Sequence, residues 1–174
     1  MIKYKIIFFF LINLVISNYS YSQNIVFADL DKIIKNSDAG KKIITHFLNE
    51  NKILLNEFES IKNEIKKKEQ TLISQKNLLA EDEYLKKIDN LKIEVNNFNS
   101  MSNKKLKELN DLKILVSNSF KKEINKVLKE FSEKNKIDLI ISSNQILIGK
   151  SNIDVTNDLL IIVNKKITKF EIKK

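Results

Sequence analysis

An apolar seven-residue repeat runs through the middle of this chain with almost nothing to interrupt it. The 174 residues include only two glycines, Gly40 and Gly149, and no proline. From Ile44, one core position falls on Ile44, Asn51, Phe58, Ile65, Leu72 and Leu79, and the second on Phe47, Leu54, Ile61, Lys68 and Gln75. Only Asn51, Lys68 and Gln75 break the apolar character of that seam, and Leu48 and Leu55 widen it near its start. The residues between are mostly Lys, Glu, Asn and Ser, which is coiled-coil patterning. A second run carries Ile88, Leu91, Val95 and Phe98, polar Ser102 and Lys105, then Leu109, Leu112 and Val116. A four-residue step from Val116 to Phe120 leads into Ile124, Val127 and Phe131; it is a stutter, which unwinds a supercoil locally without ending it.

Short β-like segments flank the helical stretch. Ile25 to Leu30 reads as a strand. Ile137–Ile141 and Gln145–Gly149, separated by Ser142-Ser143-Asn144, read as a strand hairpin. Thr156 is placed to cap a terminal helix with Asp158 in its first turn and Leu159, Leu160 and Val163 on one face. Between Leu79 and Tyr84 no strong breaker occurs, so residues 38–135 fit either one rod of roughly 150 Å or a hairpin with arms of roughly 60–75 Å. The hairpin is expected, folding back near Ala80–Asp82. Isolated two-stranded ribbons are marginal in water, and a fold-back brings the flanking segments into one body. The expected class is therefore α+β: a long antiparallel helical hairpin (residues 37–135) on a small β body (23–36 and 136–174). Such a body has little core of its own, and without cysteine to staple it oligomerisation is expected. That argument does not give the number of subunits.

The first 22 residues have another purpose. Lys3 and Lys5 precede an apolar run, Ile6–Ile16, and Ser20 and Ser22 set small residues before a cut ahead of Gln23. This is a secretory signal peptide by layout, and the run is too short to span a bilayer, which needs about 20 residues. Export with cleavage is expected. Two of the 31 basic residues and no acidic one lie in that leader, so the formal charge falls from +9 to +7 when it is removed. Every basic residue is lysine. The absence of arginine, the usual bidentate reader of phosphates and bases, argues against nucleic acid as a partner. No catalytic, cofactor or metal set is evident. His46, the single histidine, sits among apolar residues with no nucleophile or ligand partner in view, so the chain is not expected to be an enzyme.

The order of the landmarks carries a resemblance. A strand reading IVFADLDKII includes Asp29-Leu30, and NSDAGKK supplies Ser37, Ala39, Gly40 and Lys41 at the entrance to a long charged helix. Later IDLIISSNQILIG contains Asp138-Leu139-Ile140, followed by Asp154-Val155-Thr156. Across essentially the whole mature chain this resembles the Skp (OmpH-like) family of periplasmic chaperones. Two departures are visible. Asn135-Lys136-Ile137 stands where family members often have a glycine, and the arms are rich in lysine, asparagine and isoleucine instead of arginine, glutamine and alanine.

The resemblance implies a periplasmic homotrimer, with strands of three subunits in a small barrel and the hairpins hanging from it as tentacles. It also implies ATP-independent holding of unfolded outer-membrane β-barrel proteins. The rival reading is a periplasmic coiled-coil adaptor or structural protein of an envelope transport assembly, although such hairpins usually sit between glycine- and proline-containing β-domains. For client contact the candidates are Met101, Phe58 and Phe98 on the arms, with Lys66, Lys67, Lys104, Lys105 and Lys107 drawing acidic clients or anionic lipid head groups. For oligomerisation they are Val26, Ala28, Leu139, Ile140, Ile141, Ile146 and Ile148. Ala39-Gly40 is a small pair that lets another backbone approach closely, and Asp29 faces away from the apolar side of its strand or caps the adjoining turn.

Overall fold

The computed structural model describes residues 23–172, so the expected leader lies outside the described residues. Two strands, β1 (Ile25–Ala28) and β2 (Leu139–Ser142), pair in parallel with Val26 opposite Ile140 and Phe27 opposite Ile141. Parallel strands need a crossover, and here the crossover is the entire helical hairpin. Asn24 fastens the start of the pair: its N–H donates to Asp138 Oδ2 at 2.8 Å, and Asp138 N–H donates to the Asn24 carbonyl at 2.9 Å.

β1 stops at Ala28, two residues earlier than the sequence suggests, because Asp29 is the N-cap of a helix. Its carboxylate accepts from Lys32 N–H at 2.8 Å and opens a short helix, α1 (Leu30–Asn36), that the sequence pattern does not reveal. Ser37 then ends α1 and starts α2 (Asp38–Ser74). Its N–H donates to the Ile33 carbonyl at 3.0 Å, and its hydroxyl accepts from Gly40 N–H at 3.2 Å. This is a serine N-cap completely buried between two helices.

The chain does fold back into a hairpin. The break falls at residues 75–80, just ahead of the expected Ala80–Asp82, and Leu79 is part of the turn instead of the α2 seam. The long return helix, α3 (Glu81–Asn135), begins with Glu81, Asp82 and Glu83, three carboxylates placed favourably at the positive end of its dipole. The arms are about 55 Å and about 80 Å long at 1.5 Å per residue. α3 ends on Lys136, the one non-glycine residue with positive φ among those described (φ 52°, ψ 44°). Ile137 N–H donates to the Ser132 carbonyl at 2.9 Å across it, closing a Schellman-type cap.

The expected strand at Gln145–Gly149 is not formed. A 3-10 turn at Ser143–Gln145 ends the β2 ladder, and Leu147 and Ile148 project into solvent. The second edge of β1 is taken by Asp154 and Val155 instead, with Val155 N–H donating to the Phe27 carbonyl at 3.0 Å. The terminal helix α4 (Thr156–Lys166) is present, but Thr156 is its first residue and not its cap. Asp154 Oδ1 accepts from Thr156 N–H at 2.9 Å, which frees the Thr156 hydroxyl to accept from Asp29 N–H at 2.9 Å. One residue thus ties the start of α1 to the start of α4.

The core lies where these pieces meet the hairpin roots. Ala28, Ile33, Phe47, Val116, Phe120, Ile124, Leu159 and Val163 are its buried centre. Phe170 closes one side, edge-on to Phe120 with ring centroids 5.2 Å apart. About half of that core belongs to α2 and α3, so the body is larger than the flanking segments alone would build.

Candidate client-binding surface

Away from the root the hairpin holds itself together with thin contacts. Phe58 and Phe98 meet edge to face, centroids 6.0 Å apart at 87°. The other inward residues of the outer arm, Ile61, Ile65, Val95 and Leu91, are only half-buried, and among the described residues Leu72 near the tip is the one buried residue beyond the root. The polar seam positions are not simple gaps. Lys105 reaches across to Glu57 at 2.5 Å, Lys68 pairs with Glu94, and Lys87 Nζ donates to Gln75 Oε1 at 3.5 Å. Both ion pairs are substantially exposed, so each contributes at most about 1 kcal/mol. Ser102 turns its hydroxyl back onto the Phe98 carbonyl, which leaves that layer without an interhelical side-chain bond among the described residues.

The expected client-contact residues fall into three groups. Phe58 and Phe98 are occupied with each other across the seam. Met101 is half-buried beside it, while Lys66, Lys67 and Lys107 are exposed. Lys104 lies 4.0 Å from Glu108 along its own helix, and Lys105 belongs to the cross-hairpin pair. These residues line the arm at different heights and do not converge on one pocket.

The seam pattern passes over a different set. Leu48, Ile53 and Leu55 on α2, Ile73 and Leu78 near the tip, and Leu85, Ile93, Leu106, Ile114 and Leu115 on α3 all present apolar side chains to solvent, with Leu78 81% exposed. Ile44, expected in the seam, joins them, and its neighbour Ile43 takes the buried place. Leu48 and Leu55, expected to widen the seam, are exposed instead. For Ile53, Ile73, Leu78, Leu85, Ile93, Leu106, Ile114 and Leu115 the sequence does carry a signal: a helix whose only task is to pair with one partner needs apolar residues on one stripe, and these lie off it.

At the body, the oligomerisation candidates divide as well. Val26 and Ala28 are buried inside the chain's own core, and Ile140, Ile141 and Ile146 are half-buried. Leu139 and Ile148 are exposed, beside exposed Leu147 and Ile25. No helix among the described residues is long and apolar enough to cross a membrane.

Comparison with known proteins agrees with this architecture. The family described as Outer membrane protein (OmpH-like) matches residues 24–161, more than half of the chain. A crystal structure of a candidate OmpH-like outer membrane chaperone from Caulobacter crescentus CB15 superposes with a TM-score of 0.80. It covers 86% of this chain and 89% of its own at 12% sequence identity, a likeness of fold. No curated protein sequence matches.

Proposed function

Because the chain belongs to the OmpH-like family of outer membrane proteins, we propose that it is a periplasmic, ATP-independent holdase that keeps unfolded outer-membrane β-barrel proteins from aggregating before insertion. The observation that carries this reading is the spread of exposed apolar side chains along both arms, interleaved with lysines. A holdase acts by binding the unfolded state and lowering its free concentration. It therefore needs many shallow apolar contacts more than a single shaped cavity. Half-buried seams and exposed ion pairs leave the arms adaptable along their length. The lysines give the surface a positive field that speeds encounter with acidic clients, while the apolar contacts set how long they stay.

The working form in this reading is a homotrimer assembled through the body. Leu139 on β2 and Leu147 and Ile148 on the loop that follows it are large apolar side chains left exposed among the described residues, and exposed apolar surface of this kind marks an association site. Export requires cleavage before Gln23. The test is dilution of a urea-unfolded outer-membrane barrel protein into buffer containing the mature chain and no nucleotide. Aggregation, followed by light scattering, should be suppressed at about one trimer per client, and the solution mass should be three times that of the chain. Protection that requires ATP, or no protection at any ratio by an intact trimer, would refute the proposal.

A further inference from the structure

At the root, where α1 wedges against the hairpin, α2 and α3 part and leave a groove of about 590 Å3 on one side. Its floor is core: Ile43, Phe47 and Phe120. Its apolar walls are Ile44 (42% exposed) and Leu48 (65% exposed) from α2 and Leu106 (39% exposed) from α3. On the α3 side the lining includes two exposed lysines, Lys113 and Lys121. The ion pairs among the described residues all lie elsewhere, so neither lysine is neutralised by one. Asn51, Asn110 and Ser117 add amide and hydroxyl groups, and Asp31 of α1 adds one carboxylate, so the lining keeps an excess of one positive charge.

We propose that this groove takes a short extended polypeptide segment in which acidic and apolar side chains alternate. It rests on the holdase reading and gives it a selective site. Three features favour a peptide. The groove follows α2 from Gly40 to Asn51, about 16 Å of helix, room for about five residues of extended chain. An extended backbone brings N–H and C=O groups that the Asn and Ser side chains can meet; an acyl chain has no polar group to replace the water it would displace from them. The lysines also set a register. Eight residues apart on a helix, Lys113 and Lys121 are separated by about 12 Å along the axis, close to the about 13 Å between residues i and i+4 of an extended chain. Side chains i and i+4 share one face of such a chain, and i+1 and i+3 the other. Carboxylates at i and i+4 therefore reach the lysines while apolar residues at i+1 and i+3 settle toward Ile44, Leu48 and Leu106. Period-two alternation of this kind is a property of amphipathic β-strands, the elements from which barrel proteins are made.

The experiment measures fluorescence anisotropy of labelled nonapeptides on the full mature protein. One has the central sequence Asp-Leu-Ser-Leu-Asp, a second the same residues shuffled to Asp-Asp-Leu-Leu-Ser, and dodecanoate serves as competitor. The alternating peptide should bind at least about fivefold tighter than the shuffled one. The pair Lys113→Gln and Lys121→Gln should weaken it by about fivefold or more, and Leu48→Ser, at an exposed position, should weaken it comparably. Equal affinity for the two peptides, or variants that bind like wild type, would overturn the proposal. Saturable dodecanoate binding without preference between the peptides would overturn it too and assign the groove to an acyl chain. Aggregation suppression by the same preparations keeps the two readings apart. Protection without register preference removes the groove and leaves the holdase, whereas register-selective binding without protection does the reverse.

Discussion

Replacing Gly40 by alanine should destabilise the protein, although alanine is the better helix former. Gly40 is buried in the first turn of α2, directly against the last turn of α1. A Cβ built there overlaps the carbonyl oxygen of Ile34, lies 2.9 Å from the Ile34 carbonyl carbon, and lies equally close to Ser37 Oγ. The oxygen belongs to a backbone, so no rotamer change relieves the overlap and α1 must shift. That shift strains the Ser37 cap, worth about 1 kcal/mol, and forces misfit among Ile33, Ile43 and their neighbours, where overpacking costs about 1–3 kcal/mol. Alanine returns about 1 kcal/mol of helix propensity, leaving a net loss of about 1–3 kcal/mol. Gly149→Ala is the control. Its added methyl would lie 2.6 Å from Cε1 of Phe27, but it would meet a ring that can turn, on an exposed loop, and the loss should stay below about 1 kcal/mol. Urea unfolding followed by circular dichroism gives both values, repeated over a range of protein concentrations because assembly couples to stability. A Gly40→Ala protein as stable as wild type, or more so, would mean that α1 and α2 are not locked at this contact.

Lys136→Gly should stabilise by about 0.5–1 kcal/mol: a left-handed conformation costs an L-residue about 1–2 kcal/mol, and the greater freedom of glycine in the unfolded chain takes back part of the gain. A lower urea midpoint for that variant would show that the lysine side chain contributes more than its backbone loses. For Glu57 and Lys105, a double-mutant cycle with Glu57→Gln and Lys105→Gln should give a coupling of at most about 1 kcal/mol that shrinks as salt is raised. A coupling above about 2 kcal/mol, insensitive to salt, would mean that the pair is shielded from water in the working assembly.

The hairpin is the legible part of this fold. The α3 seam positions that the repeat marks, from Ile88 through Val95 and Phe98 to Val116 and then Phe120, Ile124, Val127 and Phe131, are all buried or half-buried, including those beyond the stutter. A long period leaves a redundant signal, so one polar interruption does not erase it. The close approach expected at Ala39-Gly40 is present, and Asp29 caps the turn, one of the two roles its position allows. The features that escape the sequence are short or depend on distant partners. Seven residues, as in α1, are too few to show a period. Thr156 carries the right chemistry for a cap, but the local signal cannot show that Asp154 is nearer the first free N–H and that Asp29 needs the hydroxyl. Ile44 falls in the seam only because a heptad assumes one neighbour. At the root α2 has several, α1 and the body as well as α3, and the buried face rotates by one residue to Ile43.

Gln145–Gly149 marks the boundary between what a chain specifies alone and what it specifies in company. β-propensity expresses fit against a neighbouring strand, and the segment has the composition of a strand with no neighbour to accept it. Asp154 and Val155 already fill the far edge of β1, and the turn at Ser143–Gln145 carries the segment away from β2. Leu147 and Ile148 are left at 102% and 95% exposure, together an unfavourable exposure of about 3–6 kcal/mol relative to burial. A soluble monomer gains nothing from placing two such residues at a loop tip. In the proposed trimer the same residues supply burial that the small body lacks. The strand reading of Gln145–Gly149 and the oligomerisation role proposed for Ile148 therefore rest on one physical fact, the absence among the described residues of a surface for them to pack against.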